Sequence, residues 1–376
     1  MSVLSDTRLD EAKLIPIADV ADRLDIQNLR RNGQEMVGPC PVCGGRDRFA
    51  INTQMQVFNC RRCERGGDGI AMAGFVLGVD FKAALSWLVG ERDIALDPAE
   101  VERRRRKAEG NARQREFERR RYRDASIKRA RNIWEQSVPA TGTAVQDYLA
   151  IRGITGKSLP TLPVAIRFHG ALPYMVKNSD GGWLELHRGP AMVGAIQGPD
   201  KRFMGVHRTW IDLDQTKGKV KLSHDGEDLS AKKIEGAHKG GAIRLRSAKN
   251  STTLIMGEGL ETTFTAVIAD AIPGAGYWCG VSLPNMGGKR ILRGKGMKFA
   301  GIPDIGDETA WVPPPWVQRL IFIQDGDSEA KPTRAKLLAG LRRAMHNVPG
   351  LKAQIVHPGA GIDLNDQLMS MSAVDD

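Results

Sequence analysis

The chain has 376 residues, 41% hydrophobic and 26% charged, with a formal net charge of +11 and a pI near 9.5. That is enough apolar content for two or three cores, and the positive balance favours a polyanionic partner, nucleic acid or an anionic surface. Five cysteines in so long a chain exclude a disulfide scaffold, and the longest apolar stretch, residues 70–79, is too short to span a bilayer.

Taken in chain order, residues 17–24 are apolar at helical spacing, and a cysteine module follows at 38–68. Residues 70–89 form two short amphipathic runs broken near Gly78, so 1–95 is expected to be one compact domain. Residues 96–139 read as a basic helical linker. Within them, 101–135 hold 14 Lys and Arg against 6 Asp and Glu, a local net charge of +8. The interleaved Glu102, Glu109, Glu116 and Glu118 allow two accounts of this stretch, intrahelical ion pairing or salt-sensitive affinity for a nucleic-acid backbone. Residues 140–250 are a mixed α+β segment, with strand-like runs at 164–168, 191–196, 204–213 and 242–245.

From 251 to 376 the pattern alternates: strand 252–256, helix 260–269, strands 277–283 and 320–324, helix 333–345, strand 353–356. Alternation of this kind predicts a parallel sheet with covering helices, whose ligands gather beyond the strands' carboxyl ends. The expected fold class is therefore multidomain, α+β and α/β. The amino terminus has no apolar export segment, so a cytoplasmic protein with no membrane partner is expected.

The pairs Cys40/Cys43 and Cys60/Cys63 are separated by sixteen residues, a spacing that suits zinc because each C-x-x-C turn sets two sulfurs on one side. Four thiolates close the tetrahedron, so one zinc ion here would be structural, contributing on the order of 10 kcal/mol to folding. Between the knuckles, 44–49 and 57–59 read as strands carrying Arg46 and Arg48, with Arg61 and Arg62 on the second knuckle, all candidates for phosphate contact. Phe49 and Phe58 either stack on unpaired bases or fill the ribbon's small core. Cys279 stands outside the quartet and is expected to be a small buried residue.

Three carboxylate clusters each follow a predicted strand. In Gly257-Glu258-Gly259 the glycines let the backbone turn from strand into helix while Glu258 stays at the turn, available as metal ligand or base; Glu261 lies one helical turn further on. In Asp325-Gly326-Asp327 an apolar strand delivers two hard oxygen ligands at i and i+2, which suits Mg²⁺ or Mn²⁺ holding substrate phosphates. Asp363 and Asp366 arrive from the loop after the last strand.

The last third of the chain resembles the Toprim domain. The string from Cys40 to Asp68, Cys-Pro-x-Cys-Gly-Gly…Asp-Arg-Phe…Cys-x-x-Cys…Gly-Gly-Asp, resembles the zinc-binding ribbon of phage and bacterial primases. The middle segment, through 190–195, 205–212, Lys232-Lys233 and 240–245, is similar to the amino-terminal half of the catalytic core in mobile-element primases. What the resemblance implies is a phage- or plasmid-type DNA primase, a nucleotidyltransferase making short RNA primers on a single-stranded DNA template. Ribonucleoside triphosphates would be its substrates, and a separate replicative helicase its partner. Glu258, Asp325 and Asp327 would be catalytic and, with Asp363, would hold Mg²⁺ or Mn²⁺. Arg208, Lys232 and Lys233 would contact nucleotide or template, or else be ordinary surface charges. After Asp327 the chain reads Ser-Glu-Ala-Lys-Pro-Thr, a departure from the family pattern from which a longer loop and a late helix start are expected.

Other readings differ in what they require. A Toprim nuclease needs metal-dependent cleavage. A type IA topoisomerase needs a nucleophilic tyrosine, and Tyr122, Tyr148, Tyr174 and Tyr277 have no such setting. A non-catalytic zinc-dependent DNA-binding or replication-accessory protein would be indifferent to loss of the acids. Gly156-Lys157-Ser158 resembles the tail of a phosphate loop but has Ile151 where its first glycine belongs.

Overall fold

The computed structural model describes residues 8–90, 98–155, 159–178, 182–292, 297–326, 329–357, 359 and 364–372. By packing, the chain divides into two units, 1–122 with 175–186 and 123–174 with 187–376.

The first unit begins with two short helices, α1 (Arg8–Leu14) and α2 (Ile17–Arg23). A five-stranded antiparallel ribbon follows in sequence order: β1 (Arg30–Asn32), β2 (Glu35–Cys40), β3 (Gly44–Asn52), β4 (Val57–Cys60) and β5 (Arg65–Gly67). Two helices complete it, α3 (Gly69–Leu77) and α4 (Phe81–Val89). Asp68 and Asp80 cap them, their carboxylates accepting from the N–H of Ala71 at 3.0 Å and of Ala83 at 2.9 Å. Gly78, at φ 69°, ends α3 in the left-handed conformation that a side chain disfavours. The core combines Ile17 and Val20 of α2, Phe49 and Ile51 of β3, Phe58 of β4 and Leu85 of α4. Phe49 and Phe58 thus fill the core, and Phe58 also stacks on Phe75 with centroids 5.5 Å apart; base stacking by these two rings is ruled out.

Helix α5 (Pro98–Glu135) runs 38 residues, close to the extent expected for the linker. Glu102 pairs with Arg106 at 2.8 Å and Glu116 with Arg120 at 3.0 Å, so its acids are at least partly spent on i,i+4 ion pairs.

Next along the chain come β6 (Val138–Pro139), α6 (Ala144–Ile151), β7 (Ile166–Lys177), β8 (Trp183–Gln197) and β9 (Phe203–Trp210), of the second unit apart from the end of β7 and the start of β8. Next come a small hairpin of β10 (Leu222–His224) and β11 (Glu227–Leu229), then β12 (Lys232–Gly236). Five of these strands form a sheet in the order β12-β9-β8-β7-β6. The remaining elements are β13 (Ile243–Arg246), β14 (Thr253–Gly257), α7 (Leu260–Ala269), β15 (Gly276–Cys279), α8 (Leu283–Gly287), β16 (Arg319–Ile323), α9 (Ala330–Asn347), β17 (Lys352–Val356) and α10 (Leu364–Ser372). Their sheet has the order β13-β15-β14-β16-β17. The last four strands in that order are mutually parallel, as expected, and β13 is added antiparallel to β15.

The strand residues alternate between two apolar layers. Ile255, Ile321 and Ile323 face the core containing Phe264 and Val267 of α7, while Leu254, Met256, Leu320 and Phe322 face Leu337 and Leu341 of α9. Burial on both faces is why these strands read as continuous apolar runs. The α7-side core also takes in Val145, Tyr148, Ile166, Met192 and Ile196, so packing is continuous across the boundary expected at residue 250. The strand expected over 277–283 stops at Cys279 because Ser282 caps α8, accepting from the N–H of Asn285 at 3.3 Å, and Pro284 suits that helix's first turn. Among the described residues no single helix is long and apolar enough to cross a membrane; one bent pair, α3 with α4, passes by length and composition only, and both helices contribute to the first core.

Candidate zinc centre and carboxylate edge

In the first unit the ligand atoms of Cys40, Cys43, Cys60 and Cys63 all lie within 4.8 Å of one another. Cys43 Sγ and Cys60 Sγ are 3.7 Å apart, close to the separation of about 3.8 Å that a tetrahedron with Zn–S bonds of about 2.3 Å requires. Each knuckle points backbone N–H groups at sulfur: Val42 and Cys43 donate to Cys40 Sγ at 3.4 and 3.5 Å, and Cys63 donates to Cys60 Sγ at 3.4 Å. Burial pushes the Cys40 and Cys63 thiols up. Cys43 is pulled below its ordinary value despite burial, by hydrogen bonds from the other cysteines and the charge of Arg48. Such a cluster of thiols is held together when a cation replaces its protons, and the donor set fits zinc.

Around this centre Arg46, Arg61 and Arg62 are exposed and Arg48 half-buried. Arg61 pairs with Asp47 at 2.8 Å, both side chains well exposed, an arrangement that solvent screens.

In the second unit, β14 and β16 are adjacent and parallel, with Met256 opposite Phe322. Carried two residues on, that register sets Glu258 beside Gln324, one residue before Asp325. Both acids therefore leave neighbouring strands at one carboxyl edge, and both are half-buried. Thr262, in the first turn of α7, links the two loops by donating from Oγ1 to Asp325 Oδ1 at 3.0 Å. Gly257 permits this turn to close tightly, since a Cβ there would lie 2.8 Å from Thr263 Oγ1. The Glu258 carbonyl accepts from the buried Cys279 thiol at 3.2 Å, and the Gly257 carbonyl from the N–H of Gly280 at 2.8 Å, tying β15 to the same edge. Val281, just beyond, is held at φ 70°, a strained conformation for a β-branched residue. Asp327 and Asp363 lie outside the described residues, as do Gly156, Lys157 and Ser158.

Of the remaining expected site residues, Asp366 is in α10, 3.5 Å from Arg152 Nη2 and 3.4 Å from Lys217 Nζ. Arg208 is buried; its guanidinium lies 3.6 Å from Glu235, which Arg129 also contacts at 2.9 Å, and 5.2 Å from the Trp210 ring centroid. This gives Arg208 a structural employment. Lys233 Nζ sits 3.8 Å over the Tyr174 ring, and burial followed by the nearby Arg208 pulls its pKa down to about 8. Lys232 donates to Glu261 at 2.9 Å. Burial works against the Lys232 ammonium, yet Glu261 more than compensates and holds its pKa above the usual lysine value. Glu261 and its partners Tyr148 and Lys219, and also Thr262, were not picked out as site residues by sequence reasoning. The signals that could have found them are the Lys217-Gly-Lys219-Val-Lys221 run and the place of Glu261 one helical turn beyond Glu258.

Residues 7–104 match the family model described as CHC2 zinc finger. The four-cysteine module is thus similar to CHC2 zinc ribbons, with a cysteine in every ligand position. Residues 124–245 match a second family model, a domain of unknown function, DUF7146. Among characterised proteins, the DNA primase of Mycoplasma pneumoniae is 33% identical over 84 residues, an alignment spanning 22% of this chain and 13% of that protein. Among solved structures, the zinc-binding and RNA polymerase domains of Aquifex aeolicus primase align over 98% of this chain and 83% of theirs, at 15% identity and a TM-score of 0.36. A DNA primase domain from Pseudomonas aeruginosa aligns over 66% of this chain and 77% of that one, at 14% identity and a TM-score of 0.39. The family-model match and the primase of Mycoplasma pneumoniae bear out the resemblance of the chain to primases; that of the carboxyl-terminal third to Toprim domains stays an expectation.

Proposed function

We propose that the chain is a DNA primase that joins ribonucleotides on a single-stranded DNA template. The observation that carries this reading is the exit of Glu258 and Asp325 from adjacent parallel strands at one sheet edge, tied by the Thr262–Asp325 hydrogen bond, in a chain whose amino-terminal part matches a CHC2 zinc finger. Glu258, Asp325 and Asp327, with Asp363, would hold Mg²⁺ or Mn²⁺; hard carboxylate oxygens at a half-buried edge are the donors such ions take. When bound, the ion would neutralise triphosphate charge and favour ionisation of the primer 3′-hydroxyl. The chain's own contribution is to aim the acids. Strand register brings the loops of Glu258 and Asp325 out at one edge, offset by one residue, and Thr262 would fix the rotation of the Asp325 carboxylate. Arg46, Arg48, Arg61 and Arg62 on the ribbon would contact template phosphates, and Lys232 and Lys233 would face the nucleotide. Cytoplasmic location and action beside a separate helicase belong to the same proposal.

The test is incorporation of labelled ribonucleotides on single-stranded DNA with Mg²⁺ or Mn²⁺. A template-dependent, ribonuclease-sensitive product is expected. Metal-dependent cleavage of the template with no synthesis would replace this reading by a nuclease, and DNA binding with neither activity by a non-catalytic role.

A further inference from the structure

Glu261 is an acid in the first turn of α7, three residues after Glu258, and a Cβ on Gly259 would lie 3.6 Å from its Oε2. Only 5% exposed, it accepts from Tyr148 Oη at 2.6 Å, from Lys219 Nζ at 2.7 Å on Oε1 and from Lys232 Nζ at 2.9 Å on Oε2. These donors come from three separate places: α6, the stretch bridged to Ile211, and β12. An interior carboxylate is costly unless paired, and this one is paired twice over. The two lysine side chains keep 24% and 32% of their surface exposed while their ammonium groups are held by Glu261.

The surrounding charge does not balance. Within the ion pairs of the described residues, Arg152, Lys217, Lys219 and Lys232 stand against Glu261 and Asp366, four cations to two acids, with Glu258 and Asp325 set apart at the strand ends. Arg152 is 2% exposed, and its Nε and Nη1 have no acceptor among the described residues. The surplus sits beside the acids at the strand ends, because the residue after Glu261, Thr262, bonds Asp325 and the thiol at the end of β15 bonds the Glu258 carbonyl. Gly259 supplies no side-chain cap, so the positive end of the α7 dipole adds to the field there. An anion of two or more charges would balance this arrangement.

We propose that Glu261 is a positioning residue, a buried anion that holds Lys219 and Lys232 as a fixed ammonium pair for the triphosphate of the incoming nucleotide. The inference rests on the polymerase reading for its ligand. Two free lysines would lose rotamer freedom on gripping a phosphate, and Glu261 removes that freedom beforehand. A glutamine here would turn an amide N–H₂ toward one ammonium and release it. Tyr148 completes the carboxylate's shell, and burial and then the charge of Glu261 keep its hydroxyl protonated, hence a donor.

The experiment compares full-length, zinc-loaded wild type with Glu261→Gln and Glu261→Asp. It measures KM and kcat for ribonucleotides in primer synthesis, binding of inorganic tripolyphosphate without metal by calorimetry, and the unfolding midpoint. Glu261→Gln is expected to raise KM and weaken tripolyphosphate binding about tenfold each, with kcat within about threefold, and Glu261→Asp to recover part of the loss. A folded Glu261→Gln protein with wild-type KM and tripolyphosphate affinity overturns the proposal. Should Glu261→Gln fail to fold, Lys219→Met, which leaves Glu261 paired with Lys232, carries the same expectation and the same refutation. If wild type makes no product, the polymerase reading falls while tripolyphosphate binding still decides the ammonium pair: loss in the variants sustains it, and no binding by wild type ends it.

Discussion

The zinc ribbon and the carboxylate edge are built on opposite plans. The four sulfurs of the ribbon come from 24 consecutive residues, and short C-x-x-C turns bring them together whatever the rest of the chain does. The edge draws Glu258 and Asp325 from 67 positions apart and depends on one strand register, one threonine and two apolar layers. Local spacing makes a site that a single ion can assemble, whereas a distributed site needs a finished fold first.

Removing zinc breaks this comparison hardest. A chelator, or Cys60→Ser, should cost the ribbon on the order of 10 kcal/mol and unfold it, leaving the second unit's transition in place; calorimetry of treated and untreated protein reads this as loss of one transition. Because burial holds the Cys40 and Cys63 thiols up, zinc must displace their protons, so its affinity should fall as pH falls. The converse cut is Phe264→Ala. Its ring is fully buried between α7 and the strands, and its loss should destabilise the second unit by about 3–5 kcal/mol without moving zinc content. Denaturant unfolding followed at each unit separates the two outcomes.

Acid sharpens the contrast by a different route. Burial first, and then Lys232, hold the buried His207 down to about 3 from an ordinary 6.5. Between those values the unfolded chain binds a proton that the folded chain refuses, so the second unit should lose stability as pH falls below about 6.5. His169 and His238 are lowered in the same direction, so His207→Gln should flatten the slope only in part. The smallest effect is expected on α5. Glu116 bonds Arg119 and Arg120 on an exposed face, and Glu116→Ala should change stability by less than about 0.5 kcal/mol. If it also tightens DNA binding at low salt, those arginines act on the phosphate backbone rather than only within the helix.

The same distinction decides what could be read from the sequence. The zinc ligands were legible because their spacing is their geometry. Helix α7 and the strands around it were legible to within a residue or so, since continuous apolar runs end in Gly257-Glu258-Gly259 and in Asp325-Gly326-Asp327. The strand expected over 277–283 overran a helix start that Ser282-Leu283-Pro284 already signals. What stayed hidden were partners joined only by packing: Glu261 with Tyr148, 113 residues away, and Arg208 with Glu235 across β9 and β12. In the sequence Arg208 looks like a free cation offered to nucleic acid, and nothing local shows that the half-buried Glu235 lies against it.

The central claim, that the edge carrying Glu258 and Asp325 performs nucleotidyl transfer, is tested most directly by primer synthesis with Asp325→Ala beside wild type. Zinc content, folding and binding of single-stranded DNA are monitored in parallel. The account predicts a folded, zinc-loaded protein that binds DNA like wild type and makes at least about a hundredfold less product. Synthesis by Asp325→Ala at the wild-type rate would contradict it.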